Sequence, residues 1–433
     1  MSLTRVVITG MGQISPLGIG LQELWDALSQ GRSGIATLQR IPHDVLPTSV
    51  GGEARSFTGD VSQFGTLDKA ATRAIRKGLK LMCREIEMGV AAAQWAMSDA
   101  GLVAGTYDAE RIGCVFGCDY TMTLPEEFSD AMHHCSSGGK LQFERWGQEG
   151  LSKVDPLWLL KYLPNMPASH VAIYNDLRGP SNSLTLRESS ANLAVAEAFT
   201  TLQRNIADTI VCCSTGSRIH PLRSVHTALQ EQLAQATGAP EASHRPFDVD
   251  RNGMVIGEGA GAIVLETEAS ARARGVEILA EVVGYASSTV ADQNGVANYE
   301  QAFVNVIEMA LKSANMLPGE IGHIHAHGLA TVQCDRDEAR AIWRCFGEDQ
   351  PVTTAAKSYM GNLGAGSGLV EIISSVLAIR QKQLFAVLNC ENQDPECPIR
   401  IAKLNDDPGS AFINLNITPQ GQASAVIIRA YQQ

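Results

Sequence analysis

Ile321-Gly-His-Ile-His-Ala-His327-Gly328 opens the stretch whose reading decides the fold. Pro351-Val-Thr-Thr-Ala-Ala356 follows it, and then Lys357-Ser-Tyr-Met-Gly-Asn-Leu-Gly-Ala-Gly-Ser-Gly368. The apolar run at 321–326 reads as a buried strand, 335–346 as a helix and 352–356 as a second strand. A glycine-rich turn then leads into a helix over 368–381. Strand, helix, strand, helix in this order makes a parallel crossover unit. The turn resembles a phosphate loop but lacks the Gly-Lys-Ser/Thr ending that a nucleotide-binding loop needs.

The same alternation extends in both directions. The β-branched run Arg5–Thr9 reads as a strand with Gly10 and Gly12 after it. Residues 67–101 read as mostly helical, Arg111–Phe116 as a buried strand, 189–204 as a helix and Ala207–Cys213 as a strand. Residues 118–170 lack clear periodicity and read as a surface insertion with some helix. After residue 254, a glycine-studded segment to Leu265 and a strand at 278–283 precede a helix over 299–315. On that helix Phe303, Val306, Ile307, Ala310 and Leu311 share one face. Closing strands fall near 411–416 and 424–429. The fold class is therefore layered α/β, read as two similar halves over residues 1–253 and 254–433 in one compact unit.

The chain of 433 residues is 45% hydrophobic and 18% charged, an ordinary globular composition, with a net charge of −12. That balance argues against a general nucleic-acid binder, which needs a basic face. No apolar run reaches the roughly 18 residues that span a bilayer, so no membrane partner is expected. The ten cysteines are scattered, and the opening residues carry no secretory pattern. The expectation is a reduced, cytoplasmic protein without metal or cofactor. Cys114 and Cys118 have no second pair to complete a zinc site, and His323, His325 and His327 have no clear carboxylate set beside them.

Three segments carry candidate chemistry. In Arg178-Gly-Pro-Ser181 through Leu186, Arg187, Glu188, Ser189 and Ser190, a strand enters a sharp turn and then a helix. A side chain at such an elbow sits at a helix N-terminus, where a carboxylate is electrostatically favoured. The plain alternative is that Glu188 only caps the helix or pairs with a cation. His327 ends its strand before Gly328, so it faces a cavity more readily than His323 or His325. Lys357 and Asn362 lie in the glycine-rich turn.

Together these motifs resemble the β-ketoacyl-acyl-carrier-protein synthase family of elongating ketosynthases, over nearly the whole chain. The resemblance rests on Val6–Gly12 with Ser15-Pro-Leu-Gly18, on Arg245-Pro-Phe-Asp248 with Gly257-Glu-Gly-Ala-Gly261, and on His327-Gly328 with Thr331, Asp335 and Glu338. Lys357-Ser358 with Gly361 and Gly368 completes it. It implies a thiolase-like five-layer α/β/α/β/α fold and an acyltransferase activity without cofactor. It also implies acyl carrier protein as a partner and a dimer, either a homodimer or a heterodimer with an active ketosynthase. Residues near 114–120 and 183–187 are expected close to the dimer interface. The implied site is Glu188, His327, Lys357, Asn362 and Glu338.

In that family a cysteine at the elbow takes the acyl chain, and two histidines assist decarboxylation of the malonyl group. Counting from Gly179-Pro180-Ser181 without a gap places Glu188 where that cysteine belongs. Asn362 stands for the second histidine. Thr418-Pro419-Gln420-Gly421 stands for a Gly-Phe-Gly-Gly oxyanion loop, and Pro419 has no N–H to give. A glutamate would form a reactive anhydride, use of Ser189 or Ser190 would need a register shift, and Cys212 and Cys213 read as core. The expectation is a non-condensing partner of the chain-length-factor type. The alternatives are a malonyl-carrier-protein decarboxylase, which needs a protonated Glu188, and a divergent condensing 3-oxoacyl-acyl-carrier-protein synthase. Glu188 is expected to be ionised and to accept from the helix N-terminus, His327, Lys357 or Asn362.

Overall fold

The computed structural model describes residues 4–42, 46–236 and 238–432. Its first half contributes β1 (Val6–Ser15), β2 (Ile112–Cys118), β3 (Ser181–Thr185), β4 (Thr209–Ser217) and β5 (Ile256–Thr267). They lie in the spatial order β1-β5-β4-β2-β3. The second half contributes β6 (Ala280–Thr289), β7 (His323–His325), β8 (Val352–Thr354), β9 (Ala411–Ile417) and β10 (Gln422–Arg429). Their order is β6-β10-β9-β7-β8. First strand, fifth, fourth, second, third is thus the order in both halves. The pairing senses agree as well: two antiparallel ladders, then two parallel ones. The two sets meet where Val6–Ile8 of β1 pairs antiparallel with Ala280–Val282 of β6.

Helices complete the layers. The helix α1 (Arg84–Asp99) covers β1, β4 and β5 from outside. Between the two sheets lie α2 (Ser190–Gln203) and a helix spanning Ser367–Gln381, each touching strands of both halves. On the far side α3 (Tyr299–Ala314) packs on β6 and β10, and α4 (Val332–Phe346) packs on α3. The Ser367–Gln381 helix is α5 hereafter. The five-layer α/β/α/β/α arrangement that the resemblance implied is present. Both central helices are buried nearly all round, which explains their lack of a clear amphipathic stripe. The apolar face of α3 is buried through Phe303, Val306, Ile307, Ala310 and Leu311 as the spacing requires. Among the described residues no helix is long and apolar enough to cross a membrane.

One boundary needs correction. The sequence divides after residue 253, where Gly253 makes a turn with φ 139°. The strand that follows, β5, nevertheless pairs with β1 and β4 and completes the first sheet. By strand order the repeat boundary lies between Thr267 and Ala280, around the short helix Glu268–Arg274. The error has a physical cause: a fifth strand returning antiparallel to the first carries no local sign of the sheet it will join.

The segment 118–170 holds the α-helix Glu126–His134, a small ribbon of Ser136–Ser137 with Lys140–Leu141, short turns of helix, and the start of the helix Met166–Asn175. The 67–101 segment is two helices, Lys69–Gly78 and α1, separated at 79–83.

The glycine motifs in the two halves are two sides of one contact. A Cβ on Gly366 would lie 2.2 Å from the Gly259 carbonyl oxygen, and one on Gly261 would lie 2.8 Å from the Cβ of Leu369 in α5. The N-terminus of α5 therefore docks end-on against β5 only if both positions lack side chains. Gly366→Ala is expected to lower stability by about 1–3 kcal/mol in urea unfolding, the range for forced overpacking. Gly319→Ala, where an added Cβ meets nothing within 4 Å, should leave the midpoint unchanged.

Candidate active site

The elbow is built as the sequence suggests. β3 ends at Thr185, Leu186 and Arg187 turn, and α2 begins at Ser190. Arg187 takes φ 52°, a left-handed conformation uncommon for a residue with a Cβ. That turn carries Glu188 inward until it is 1% exposed. The Ser190 hydroxyl bridges the elbow, accepting from the Leu186 N–H at 2.7 Å and donating to the Cys118 carbonyl at 2.9 Å.

A buried carboxylate needs cations or donors around it. Arg218, fully buried one residue past the end of β4, donates to Glu188 Oε1. Asn362 Nδ2 donates to the same oxygen at 3.1 Å. Arg187 Nε lies 3.5 Å from Oε2. Glu231 pairs with both arginines and so closes a four-ion cluster. Burial alone would favour the neutral acid. Arg218 and Arg187, with the charged form of His327 adding in the same sense, outweigh it and hold the Glu188 carboxyl well below the usual carboxylate range.

Of the four donors expected at Glu188, one is confirmed as a hydrogen bond: Asn362. Lys357 is not there. Its Nζ donates to Glu371 Oε1 at 2.5 Å and lies 3.3 Å from His327 Nδ1 and 3.4 Å from Asn416 Oδ1. The arginines do the work expected of Lys357 and of the helix N-terminus.

His327 lies 1% exposed at the floor of a cavity of about 190 Å³. Glu188, Glu231, Tyr299, Thr331, Cys334 and Thr418 also line it. Burial first, then the Lys357 charge, lowers the His327 pKa to about 3, so the imidazole is neutral. His327 Nδ1 lies between a donor, the Lys357 ammonium at 3.3 Å, and an acceptor, Asn416 Oδ1 at 3.2 Å. When Nδ1 accepts from Lys357 the ring proton is on Nε2, and a neutral imidazole of that tautomer donates a hydrogen bond to a carbonyl oxygen rather than delivering a proton.

Glu338 does not enter the cavity. Its carboxylate accepts the backbone N–H groups of His327 at 2.6 Å and Gly328 at 2.9 Å. It thereby fixes the strand-end turn that aims His327, and is a positioning residue rather than a reacting one. Burial pushes its pKa up to about 8 against those two bonds. Asp335 does the same for the next turn, accepting from Ala330 and from Phe247 of the Arg245-Pro-Phe-Asp248 motif. His323 and His325 turn to the Ser375 hydroxyl, and His323 also to the Pro408 carbonyl. Thr418–Gly421 forms the tight turn between β9 and β10, closed by Gly421 N–H to the Thr418 carbonyl at 2.9 Å. Its Pro419 presents a carbonyl to the Tyr299 hydroxyl.

Sequence reasoning missed Arg218, Glu231, Tyr299 and Cys334. Arg218 offered one signal, a cation immediately after an apolar strand end. Glu231 and Tyr299 lie on segments with no motif, and Cys334 lies unremarked between Thr331 and Asp335 of the His327 motif.

Two outcomes test this electrostatic picture. Glu188→Gln leaves Arg218 buried with half its compensation and should cost about 3–5 kcal/mol in chemical denaturation, the range for breaking one side of a buried pair. The His327 ring should remain neutral at about pH 5 by nitrogen NMR, where an exposed imidazole of pKa about 6.5 is charged. The unfolded chain takes up that proton below about pH 6.5 and the native chain only near 3. This residue's contribution therefore makes stability fall as pH falls through that window.

Family models for the β-ketoacyl synthase N-terminal and C-terminal domains match residues 3–271 and 279–391. The 3-oxoacyl-(acyl-carrier-protein) synthase 2 of Synechocystis sp. is 32% identical over 407 residues, covering 91% of this chain and 90% of that protein. Its counterpart from Coxiella burnetii is 30% identical over 403 residues, covering 92% and 91%. Among solved structures, the ishigamide ketosynthase/chain length factor superposes with a TM-score of 0.83 at 24% identity over 100% of both chains. Two family models that together span most of the chain and relatives at 30–32% identity agree: the chain belongs to the β-ketoacyl synthase family.

Proposed function

We propose that this chain is a non-condensing ketosynthase-like protein of fatty acid or polyketide synthesis, acting as a chain-length-factor-type partner of an active ketosynthase. One observation carries the reading. The elbow position, which the ungapped register from Gly179-Pro180-Ser181 equates with the family's cysteine, holds a carboxylate kept ionised by two arginines. An ionised, cation-paired glutamate is a poor nucleophile toward a thioester, and its acyl product would be an anhydride.

The alternatives fare less well. A decarboxylase that uses Glu188 in the manner of an amide needs the protonated acid, and the shift runs the other way. A condensing synthase needs another nucleophile. Cys334 lines the cavity, but burial and the neighbouring Glu338 and Asp335 raise its pKa well above the ordinary thiol value. The half of the machinery that polarises a carbonyl, His327 with Lys357 behind it, is intact. A carbonyl group can therefore still be held here.

Two surfaces fit the partners. β3 is an edge strand of the large sheet, with Ser181, Asn182 and Thr185 exposed, and can extend the sheet into a second subunit. The helix Lys69–Gly78 and the turn after it expose Lys69, Arg73, Arg76, Lys77 and Lys80, a basic face on a chain of net charge −12. It suits an acidic docking surface such as a carrier protein would offer.

The purified chain should take no acyl label from acyl-loaded or malonyl-loaded carrier protein. It should form no condensation product and release carbon dioxide near background. Glu188→Cys should not restore condensation, because Asn362 and the Thr418–Gly421 turn are unchanged. Rapid carbon dioxide release that Glu188→Ala abolishes would replace this reading with the decarboxylase.

A further inference from the structure

We infer that Arg187, Arg218 and Asn362 form a carboxylate-binding site that the chain fills with its own Glu188 side chain, and that its ligand class, once vacated, is a small monocarboxylate. The inference rests on the ionised elbow of the proposed function but not on the partner role. The geometry is that of a bound anion. Oxygen Oε1 accepts from Arg218 and from Asn362 Nδ2 at 3.1 Å, and Oε2 faces Arg187 Nε at 3.5 Å. Every donor comes from a different segment: the elbow, the end of β4 and the turn before α5. Each is itself fixed. Asn362 Oδ1 accepts from the Gly364 N–H at 3.0 Å and the Ser367 hydroxyl at 3.3 Å, so its amide nitrogen has to point at the anion. Glu231, which lines the same cavity, pairs with both guanidinium groups.

The site also has an entrance. Glu188 lines the cavity of about 190 Å³, and Oε2 is buried with no hydrogen-bond partner of its own. Truncating Glu188 to alanine removes one methylene and the carboxylate, a fragment the size of acetate. It leaves the two arginines with Glu231 as their paired carboxylate, Asp119 acting on both from a distance while it pairs with Arg223. The vacated space therefore matches acetate in volume, charge and donor geometry, and opens on the cavity. In the intact chain Glu188 occupies these donors, so the arginines are not available to the carboxylate of an incoming group.

The test compares thermal unfolding of wild type and Glu188→Ala in sodium acetate, acetamide and sodium chloride, the salts at equal ionic strength. Acetate should raise the Tm of the variant saturably, by about 2 °C once well above its Kd. Acetamide has nearly the same shape without charge and should not. Wild type should show no acetate-specific shift, because Glu188 already fills the site. The double variant Glu188→Ala/Arg218→Met should lose the acetate effect. Should Glu188→Ala not fold in chloride, refolding yield reads the same equilibrium: recovery in acetate but not acetamide supports the inference. Equal responses to acetate and chloride, or failure to refold in either, overturn it. None of these readouts involves a carrier protein, so they stand or fall separately from the partner role.

Discussion

The contact between the Gly259 carbonyl and Gly366 sets the rest of the molecule in place. At that point the backbone of β5 and the first turn of α5 approach more closely than any Cβ allows. A strand of the first half and the central helix of the second are thereby locked end to side. The turn Asn362–Gly366 then has one position available, and Asn362 reaches Glu188 across a separation of 174 residues. The site is thus a consequence of how the halves dock. This explains why glycine motifs that look like two ligand loops in the sequence serve as one packing surface.

Electrostatics decides what that site contains. Bringing an ion from water into the interior costs several kcal/mol, and a single partner rarely offsets it. The structure answers with networks rather than pairs. Glu188 has Arg218, Arg187 and Asn362; Glu371 has Lys357, Asn414 and Asn416. The two networks lie on either side of His327, which stays neutral chiefly because it is buried and secondly because the Lys357 charge lies beside it. Lys357 is held by Glu371 and does not reach Glu188. The elbow charge is therefore set locally by the arginines.

Much of this was legible in the sequence. Alternating β-branched runs and helical spacings gave nine of the ten strands, the segment that forms β5 being read only as a glycine-studded apolar run, and the family resemblance implied Glu188, His327 and Asn362 as neighbours. The turn after each β-run marked where side chains would be presented. What stayed hidden was long-range. β5 was assigned to the wrong half because its partners, β1 and β4, are distant in the chain. Arg218 lies 30 residues from Glu188, and Glu231 lies 44 from Arg187, with no periodicity linking them. Glu338 was read as catalytic from its motif. Only the fold shows that its oxygens serve the backbone of the residue that faces the cavity.

The ion cluster also bears on how such an elbow arises. If catalytic demand had simply lapsed, a carboxylate at a buried elbow would stand as an uncompensated charge and destabilise the chain by several kcal/mol. Here Arg218 is fully buried, and beside an uncharged elbow residue it would keep Glu231 as its one paired carboxylate. Glu231 in turn balances the second arginine. No member can be replaced alone without leaving a buried charge unpaired, so the four side chains form one unit whose parts require each other. An elbow emptied of function needs only a small apolar residue. Here the elbow carries two arginines and two glutamates joined in one cluster that borders the same cavity as His327.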